Sequence, residues 1–251
     1  MLNDIMTAKL TQQTDKKPNI NTTPVDVQSY FGFALSVDCV IFGFDENALK
    51  VLLIKSDLEA FKDKWSLLGD MVEKDEDLES ASYRVLKERT GLDNVYLEQV
   101  QCFSKVDRHP AGRVITAAFY SLVNIKHHQL HQLDNELHWH RIDQIGELAF
   151  DHKNILNICL ERLQKKVQVE PIAFNLLGYK FSLRELQMLY EAILGVTLDR
   201  RNFRKKLFAT GLLTDLDEIE NNVPHRPGKL YSFNKDSYDK RQKEVFMGIN
   251  L

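Results

Sequence analysis

The stretch GDMVEKDEDLESASYRVLKERTGL, Gly69 to Leu92, decides how the rest of the chain is read. Its second half, Leu78 to Thr90, has the look of a helix, and Gly91 stands where a left-handed C-cap belongs. Positions 85, 88 and 89 are spaced i, i+3 and i+4, so they share one face of that helix. They hold Val85, Glu88 and Arg89, a formal charge of -1 + 1 = 0. Just upstream, Asp70, Glu73 and Glu76 place further carboxylates beside the same helix.

Outward from this stretch the text reads as strands. SVDCVIFGFDENALKVLLIKS, from Ser36, is two β-branched and aliphatic runs around a polar turn, a hairpin pattern. NVYLEQVQCFSKV, RVITAAFYSLVNI and ELHWHRI follow as further strands. A second amphipathic helix is expected over about Lys153 to Val167, where Ile155, Ile158, Leu160 and Leu163 recur near helical spacing. Residues 1–28, rich in Thr, Gln, Asn, Asp and Lys, read as a flexible N-terminal tail.

Past Pro171 the pattern becomes helix, turn, helix, strands. SLRELQMLYEAILG opens at the N-cap residue Ser182 with Glu185 three places on, and stops at Gly195. TLDRRNFRKKLFATG repeats the design and ends at Gly211. Two short strands then flank a polar loop containing Pro224, Pro227 and Gly228. In the second of these helices Arg201, Arg204 and Lys205 fall on one arc and Phe203 and Leu207 on another, although Phe208 intrudes on the basic arc. Such a helix suits a DNA major groove, where arginine pairs with guanine and both basic side chains neutralise phosphates. Arg200, Arg201, Arg204, Lys205 and Lys206 are the expected helix contacts, with Arg226 and Lys229 on a wing.

Charge divides along the same line. Residues 171–251 hold 13 Lys and Arg against 10 Asp and Glu, a balance of +3; residues 1–170 hold 20 against 26, a balance of -6. The net value of -3 over 251 residues creates no overall field toward a polyanion, so any such site must be local. Cys39, Cys102 and Cys159 are odd in number and widely spaced, without metal-type spacing, which fits buried small residues in a cytoplasmic protein. Neither a secretory leader nor a membrane-length apolar run is evident. His127, His128, His131, His138 and His140 crowd one stretch, but no cysteine joins them and a solvated loop is the expected reading over a zinc site.

The spacing from residue 70 to Leu92, preceded by WSLLG, resembles the Nudix box: Gly, five residues, Glu, seven residues, then Arg-Glu-hydrophobic-x-Glu-Glu-x-Gly-hydrophobic. Glu76, Arg84, Leu86, Glu88, Gly91 and Leu92 match it. Val85 and Arg89 replace two of its glutamates, and Asp70 stands at its glycine. In that family the helix glutamates hold a divalent metal that activates water and neutralises a pyrophosphate. The substitutions therefore imply no metal, no cofactor, no catalytic residues and no efficient hydrolysis, unless Asp70, Glu73 and Glu76 form a displaced metal site. A second segment, KVDRHPAGRVITAAFY, resembles the Asp-Arg-x-Pro-x-x-Arg-Val run of ADP-ribose-type Nudix proteins.

Both halves together resemble the Nudix-related transcriptional regulators, most closely their arabinose-regulator branch, with a sister branch that senses ADP-ribose in NAD metabolism. The resemblance implies an α+β fold: a Nudix-like mixed sheet with flanking helices, an α/β/α sandwich, over residues 29–170, and a winged helix-turn-helix domain over residues 171–251. It also implies a homodimeric repressor on double-stranded operator DNA. A small effector, a sugar such as arabinose or otherwise ADP-ribose or a related nucleotide, would be held near Trp65, Glu73, Glu76, Glu88, Asp107, Arg108, His109 and Arg113. For Trp65 simple packing is the alternative, and for Asp107 and Arg108 a turn held by an ion pair. No membrane role is expected. The competing reading is a divergent Nudix hydrolase, an ADP-sugar pyrophosphatase with a helical C-terminal appendage.

Overall fold

A strand that is predominantly apolar on both faces can sit only where both of them are covered. The first strand, β1 (Ala34–Asp45), is of this kind, buried from Ser36 to Phe44. In the computed structural model, which describes residues 32–45, 47–93, 95–126, 137–221 and 223–241, it is the centre of a seven-stranded mixed sheet. One of its edges pairs in parallel with β6 (Val114–Val123). The other pairs antiparallel with β2 (Ala48–Lys55) through Phe42–Asp45, and with β4 (Leu68–Met71) through Ser36–Cys39. The short β3 (Trp65–Ser66) and β7 (Leu137–Arg141) join β2, and β5 (Leu97–Phe103) joins β6.

The two-residue period of β1 sorts its side chains between two helices. Val37, Cys39 and Ile41 pack with Ala81, Val85 and Leu86 of α1 (Leu78–Thr90). Val40, Phe42 and Phe44 share a core with Ile155, Leu156, Cys159 and Leu163 of α2 (His152–Val169). The result is the expected α/β/α sandwich. Helix α1 is closed at both ends: the Asp77 carboxylate accepts from Ser80 N at 2.7 Å, and Gly91 takes φ 70°. Helix α2 is also pinned to the sheet through Glu98 on β5. Its carboxylate accepts from Tyr120 Oη at 3.0 Å and from the Lys166 ammonium. Burial works to raise the Glu98 pKa, but those two bonds outweigh it and hold the carboxyl below its ordinary value.

After the 3-10 helix Pro171–Leu176, β8 (Phe181–Ser182) leads into α3 (Leu183–Leu194) and α4 (Arg200–Ala209). The hairpin β9 (Leu213–Ile219) and β10 (Lys229–Phe233) completes a β8-β10-β9 sheet, and α5 (Lys235–Arg241) follows. This is a winged helix. Ser182 caps α3 by accepting from Glu185 N at 3.2 Å, and Gly195 ends it at φ 69°. Residues 33–251 form one compact unit. Leu186, Leu189, Tyr190, Phe203 and Leu207 belong to the same apolar cluster as the α2 face of the sheet. Gln164 Nε2 of α2 donates to the Ile193 carbonyl at the end of α3, 2.9 Å away.

The N-terminal tail of residues 1–28 and His127, His128 and His131 lie outside the described residues. His138 and His140 do not sit on a loop: both are on β7, paired with Leu53 and Val51, and their rings lie 5.3 and 4.3 Å from that of Trp65. The alternation of ELHWHR with a strand partner explains the difference, because β2 offers β7 an edge.

One close approach fixes β4 on β1. A Cβ added to Gly69 would lie 2.1 Å from Asp38 Oδ1 and 2.8 Å from the Val37 carbonyl oxygen. Gly69→Ala is therefore expected to destabilise the fold by about 1–3 kcal/mol, since a backbone atom cannot swing aside. Equilibrium urea unfolding measures this, and an unchanged midpoint would show that β4 can move off Asp38.

Candidate functional site

Asp38 is a carboxylate in the middle of a buried strand, 5% exposed, and its surroundings are built around that charge. The Arg108 guanidinium, from the β5–β6 loop, lies 3.6 Å from Asp38 Oδ2. It also makes a two-pronged bond to Asp151, through Nε at 3.2 Å and Nη2 at 2.7 Å, and its Nη1 donates to Thr116. His152 Nε2 lies 3.4 Å from the same Asp38 oxygen. The Leu67 N–H donates to His152 Nδ1 at 3.0 Å, so the ring proton belongs on Nε2, facing Asp38. Ser66 Oγ lies 3.0 Å from that Nδ1 as well. Because the single lone pair of Nδ1 already serves Leu67, Ser66, His152 and Asp38 do not work as a nucleophile and its base. They form a braced wall.

This wall closes one side of a cavity of about 350 Å³. Ser36, Asp38, Gly69, Asp70, Arg89, Arg108, His109, Thr116 and His152 line it, together with Lys55, Asp57 and Phe150. His109 stacks on Phe150 at 5.1 Å and 18°. Burial, followed by the neighbouring Arg108 charge, pushes the His109 pKa below its ordinary value, so this stack is uncharged at neutral pH. Asp151, at the start of α2, makes no capping bond with its side chain; the carboxylate is turned to Arg108 instead.

Of the residues expected around an effector, Arg108 and His109 line the cavity. Trp65 is half-buried outside that lining, with Lys55 Nζ 4.2 Å from its ring centroid. Asp107 is exposed on the loop, and Arg113 donates to the Ser104 carbonyl at 2.5 Å and lies over Phe33. Glu73, Glu76 and Glu88 gather around Arg84. Glu76 receives Arg84 Nε at 3.0 Å and Nη2 at 2.6 Å, Glu88 receives Nη1 at 3.4 Å, and Glu73 stands 3.8 Å away. Sequence reasoning missed Asp38 and His152 as cavity residues, and singled out Asp70 and Arg89 only for the box's metal face.

These carboxylates do not fit a divalent metal. Both oxygens of Glu76 are taken by Arg84, with the Glu73 N–H adding a third bond at 2.8 Å. Val85 is buried against the sheet, and Arg89 brings a cation to within 3.3 Å of Asp70. Magnesium requires several oxygens in near-octahedral array, and no group of three or more His, Cys, Asp or Glu side chains among the described residues is arranged to hold an ion. Asp70, with Arg89 on one oxygen and the Met71 N–H on the other at 2.8 Å, is no better placed to form a displaced site.

In the winged helix, the basic residues separate by face. Phe203 and Leu207 are buried while Arg200, Arg201 and Lys205 are exposed and Arg204 and Lys206 half-buried. Arg200, Arg204, Arg226 and Lys229 come together with Arg184 and His225 around a hollow of about 550 Å³ between α3, α4 and the wing. Lys229 is already paired with Asp215 at 2.8 Å, which lowers the Asp215 pKa and raises that of the lysine. Phe208, which breaks the basic arc, is half exposed and sets its ring edge-on to Tyr231 of the wing at 5.8 Å.

A sandwich with a Nudix box, joined to a winged helix with an outward basic face, defines a ligand-cavity protein with a DNA-binding module. Comparison with known proteins agrees: residues 32–159 match the NUDIX domain and residues 173–233 the NrtR DNA-binding winged helix domain. The ADPR responsive transcriptional repressor NtrR of Acinetobacter baylyi is 34% identical over 211 residues, 82% of this chain and 84% of that protein. The crystal structure of Shewanella oneidensis NrtR complexed with a 27mer DNA superposes with a TM-score of 0.71 at 28% identity, over 82% of this chain and 95% of that one. The NUDIX domain of the same Shewanella oneidensis protein, complexed with ADP ribose, gives 0.50 at 27% identity over 56% of this chain and 94% of that one. The chain belongs to the NrtR family of Nudix-type DNA-binding transcription regulators.

The Arg84 clamp has a pH signature. Arg84 and the Glu73 N–H hold the Glu76 carboxyl below its ordinary pKa. Its contribution to stability is thus present above the unfolded value, about 4.3, and is lost as pH falls through the lower folded value. Glu76→Gln should lower the thermal midpoint at pH 7 and flatten the acid limb of a stability-versus-pH curve. Parallel acid limbs for the two proteins would mean that the clamp carries no charge-dependent stability.

Proposed function

We propose that the chain is a transcriptional repressor whose operator affinity is set by ADP-ribose held in the cavity beside Asp38. In this reading residues 29–170 sense the effector, residues 171–251 grip DNA, and the protein acts as a homodimer on a palindromic site. The observation that carries it is the state of the box: the cavity survives while its acidic residues are engaged by arginines. A pocket that binds without consuming its ligand is what a sensor requires. Hydrolysis is not expected, because Glu76 and Glu88 are turned to Arg84 and two of the box glutamates are replaced by Val85 and Arg89.

ADP-ribose, not a pentose, is the favoured effector. The relatives named for an effector are named for ADP-ribose, and the sugar alternative gains no support from them. The cavity offers a diphosphate the cations of Lys55 and Arg89, together with an uncharged aromatic wall at His109 and Phe150. An effector shifts operator affinity only by the difference between its affinities for two protein states, typically a factor of about 5–150. Fluorescence anisotropy on operator duplex, selected from random DNA, should show a shift in that range on adding ADP-ribose. Unchanged binding would remove ADP-ribose as effector. Incubation with ADP-ribose and magnesium should yield no AMP, and turnover at ordinary enzymatic rates would favour the pyrophosphatase reading instead.

On the DNA side, Arg201 and Arg204 of α4 are the expected groove contacts, with Arg226 on the wing. Reversing both helix charges, Arg201→Glu with Arg204→Glu, should abolish operator binding while leaving ADP-ribose binding intact. Normal binding with an unchanged salt slope would show that α4 does not enter the groove.

A further inference from the structure

The guanidinium of Arg89 lines the cavity at a position where the Nudix box carries a glutamate, and we propose that it takes over the charge-neutralising work of the metal. Arg89 is then the receiving group for the effector's pyrophosphate, and recognition of the effector is independent of divalent cations. This inference rests on the ADP-ribose reading.

Four observations support the assignment. First, Arg89 reaches the cavity from the last turn of α1, where its guanidinium meets Asp70 at 3.3 Å, with both side chains about two-fifths exposed. Such a pair is screened by water and is worth little, so an incoming dianion can displace it. Second, Arg108, the deeper arginine of the cavity, already gives Nε and Nη2 to Asp151 and Nη1 to Thr116, and its side chain is 3% exposed. A phosphate there would compete with a buried two-pronged bond for a guanidinium that is almost wholly covered. Third, Arg84 offsets part of the charge of Glu76 and Glu88, acidic residues that would repel a diphosphate. Fourth, the chemistry of the replacement matches the ligand. The planar fork of arginine donates two parallel N–H groups to phosphate oxygens and never loses its charge, which a lysine point charge does not reproduce. A divalent ion at this place would face that guanidinium directly, so metal and Arg89 are alternatives.

The consequence is a sensor with its counter-ion built into the chain. It offsets charge on the pyrophosphate without polarising a water molecule, which separates binding from hydrolysis.

Isothermal titration of the full chain with ADP-ribose, in magnesium and again in EDTA, tests the proposal. Equal affinity in the two buffers is expected. Arg89→Ala should weaken binding by about 10–100-fold, the range for losing a charge-assisted hydrogen-bonding pair, and Arg89→Lys should recover only part of the loss. Inorganic pyrophosphate, titrated as a second probe, should show the same dependence on Arg89. Circular dichroism and thermal midpoints of the variants matching the parent exclude misfolding as the cause. A parent chain that binds only with magnesium, or an Arg89→Ala chain that binds as the parent does, would overturn the assignment. Binding of pyrophosphate through Arg89 without binding of ADP-ribose would sink the effector reading alone. Binding of neither would sink both.

Discussion

A buried carboxylate cannot remain in an apolar strand unless its charge is met, and Asp38 makes that demand at the centre of the sheet. Its requirements recruit three segments that are remote in sequence. Arg108 comes from the β5–β6 loop, His152 from the first turn of α2, and Gly69 from β4, where any side chain would collide with the carboxylate. Removing one member of such a buried group typically costs about 3–5 kcal/mol, because the remaining charge is stranded. The cavity walls are thereby fixed by the same interaction that holds β4 and α2 in place. Fold and site are one constraint.

A second ionic decision is made on α1. There Arg84 gathers Glu73, Glu76 and Glu88, while Arg89 turns toward Asp70 at the cavity. Two arginines on one helix thus divide the labour: one engages the old acidic residues and the other faces the ligand space. The change at residue 89 alone reverses a charge at the pocket's edge, and the change at residue 85 places an apolar side chain in the sheet-facing core.

Much of this was legible in the sequence, for physical reasons that can be named. Strand β1 and its hairpin show as unbroken β-branched runs, the ends of α1 and α3 are marked by Asp77, Ser182 and the αL glycines, and the box spacing sets the helix beside the cavity. The basic face of α4 follows from a helical period with Phe203 and Leu207 buried. The Asp38 cluster was not legible, because periodicity reports which face of an element is apolar and not which distant loop will meet it. A lone Asp inside SVDCVIFGF was the one available hint. Glu73, Glu76 and Glu88 were placed around the effector on box spacing, but that spacing says nothing about Arg84 claiming them first.

Helix α2 has a part in both halves of the molecule. It begins at the wall of the cavity with His152, runs along the sheet, and meets α3, where Gln164 reaches the Ile193 carbonyl and Leu186 and Leu189 belong to the same apolar interior. The polypeptide is therefore not two cassettes on a string. Exchanging either half with that of a relative would leave mismatched surfaces along this helix, so sensing and DNA-gripping parts are constrained to change together, and a disturbance at one end of α2 has no slack linker in which to dissipate.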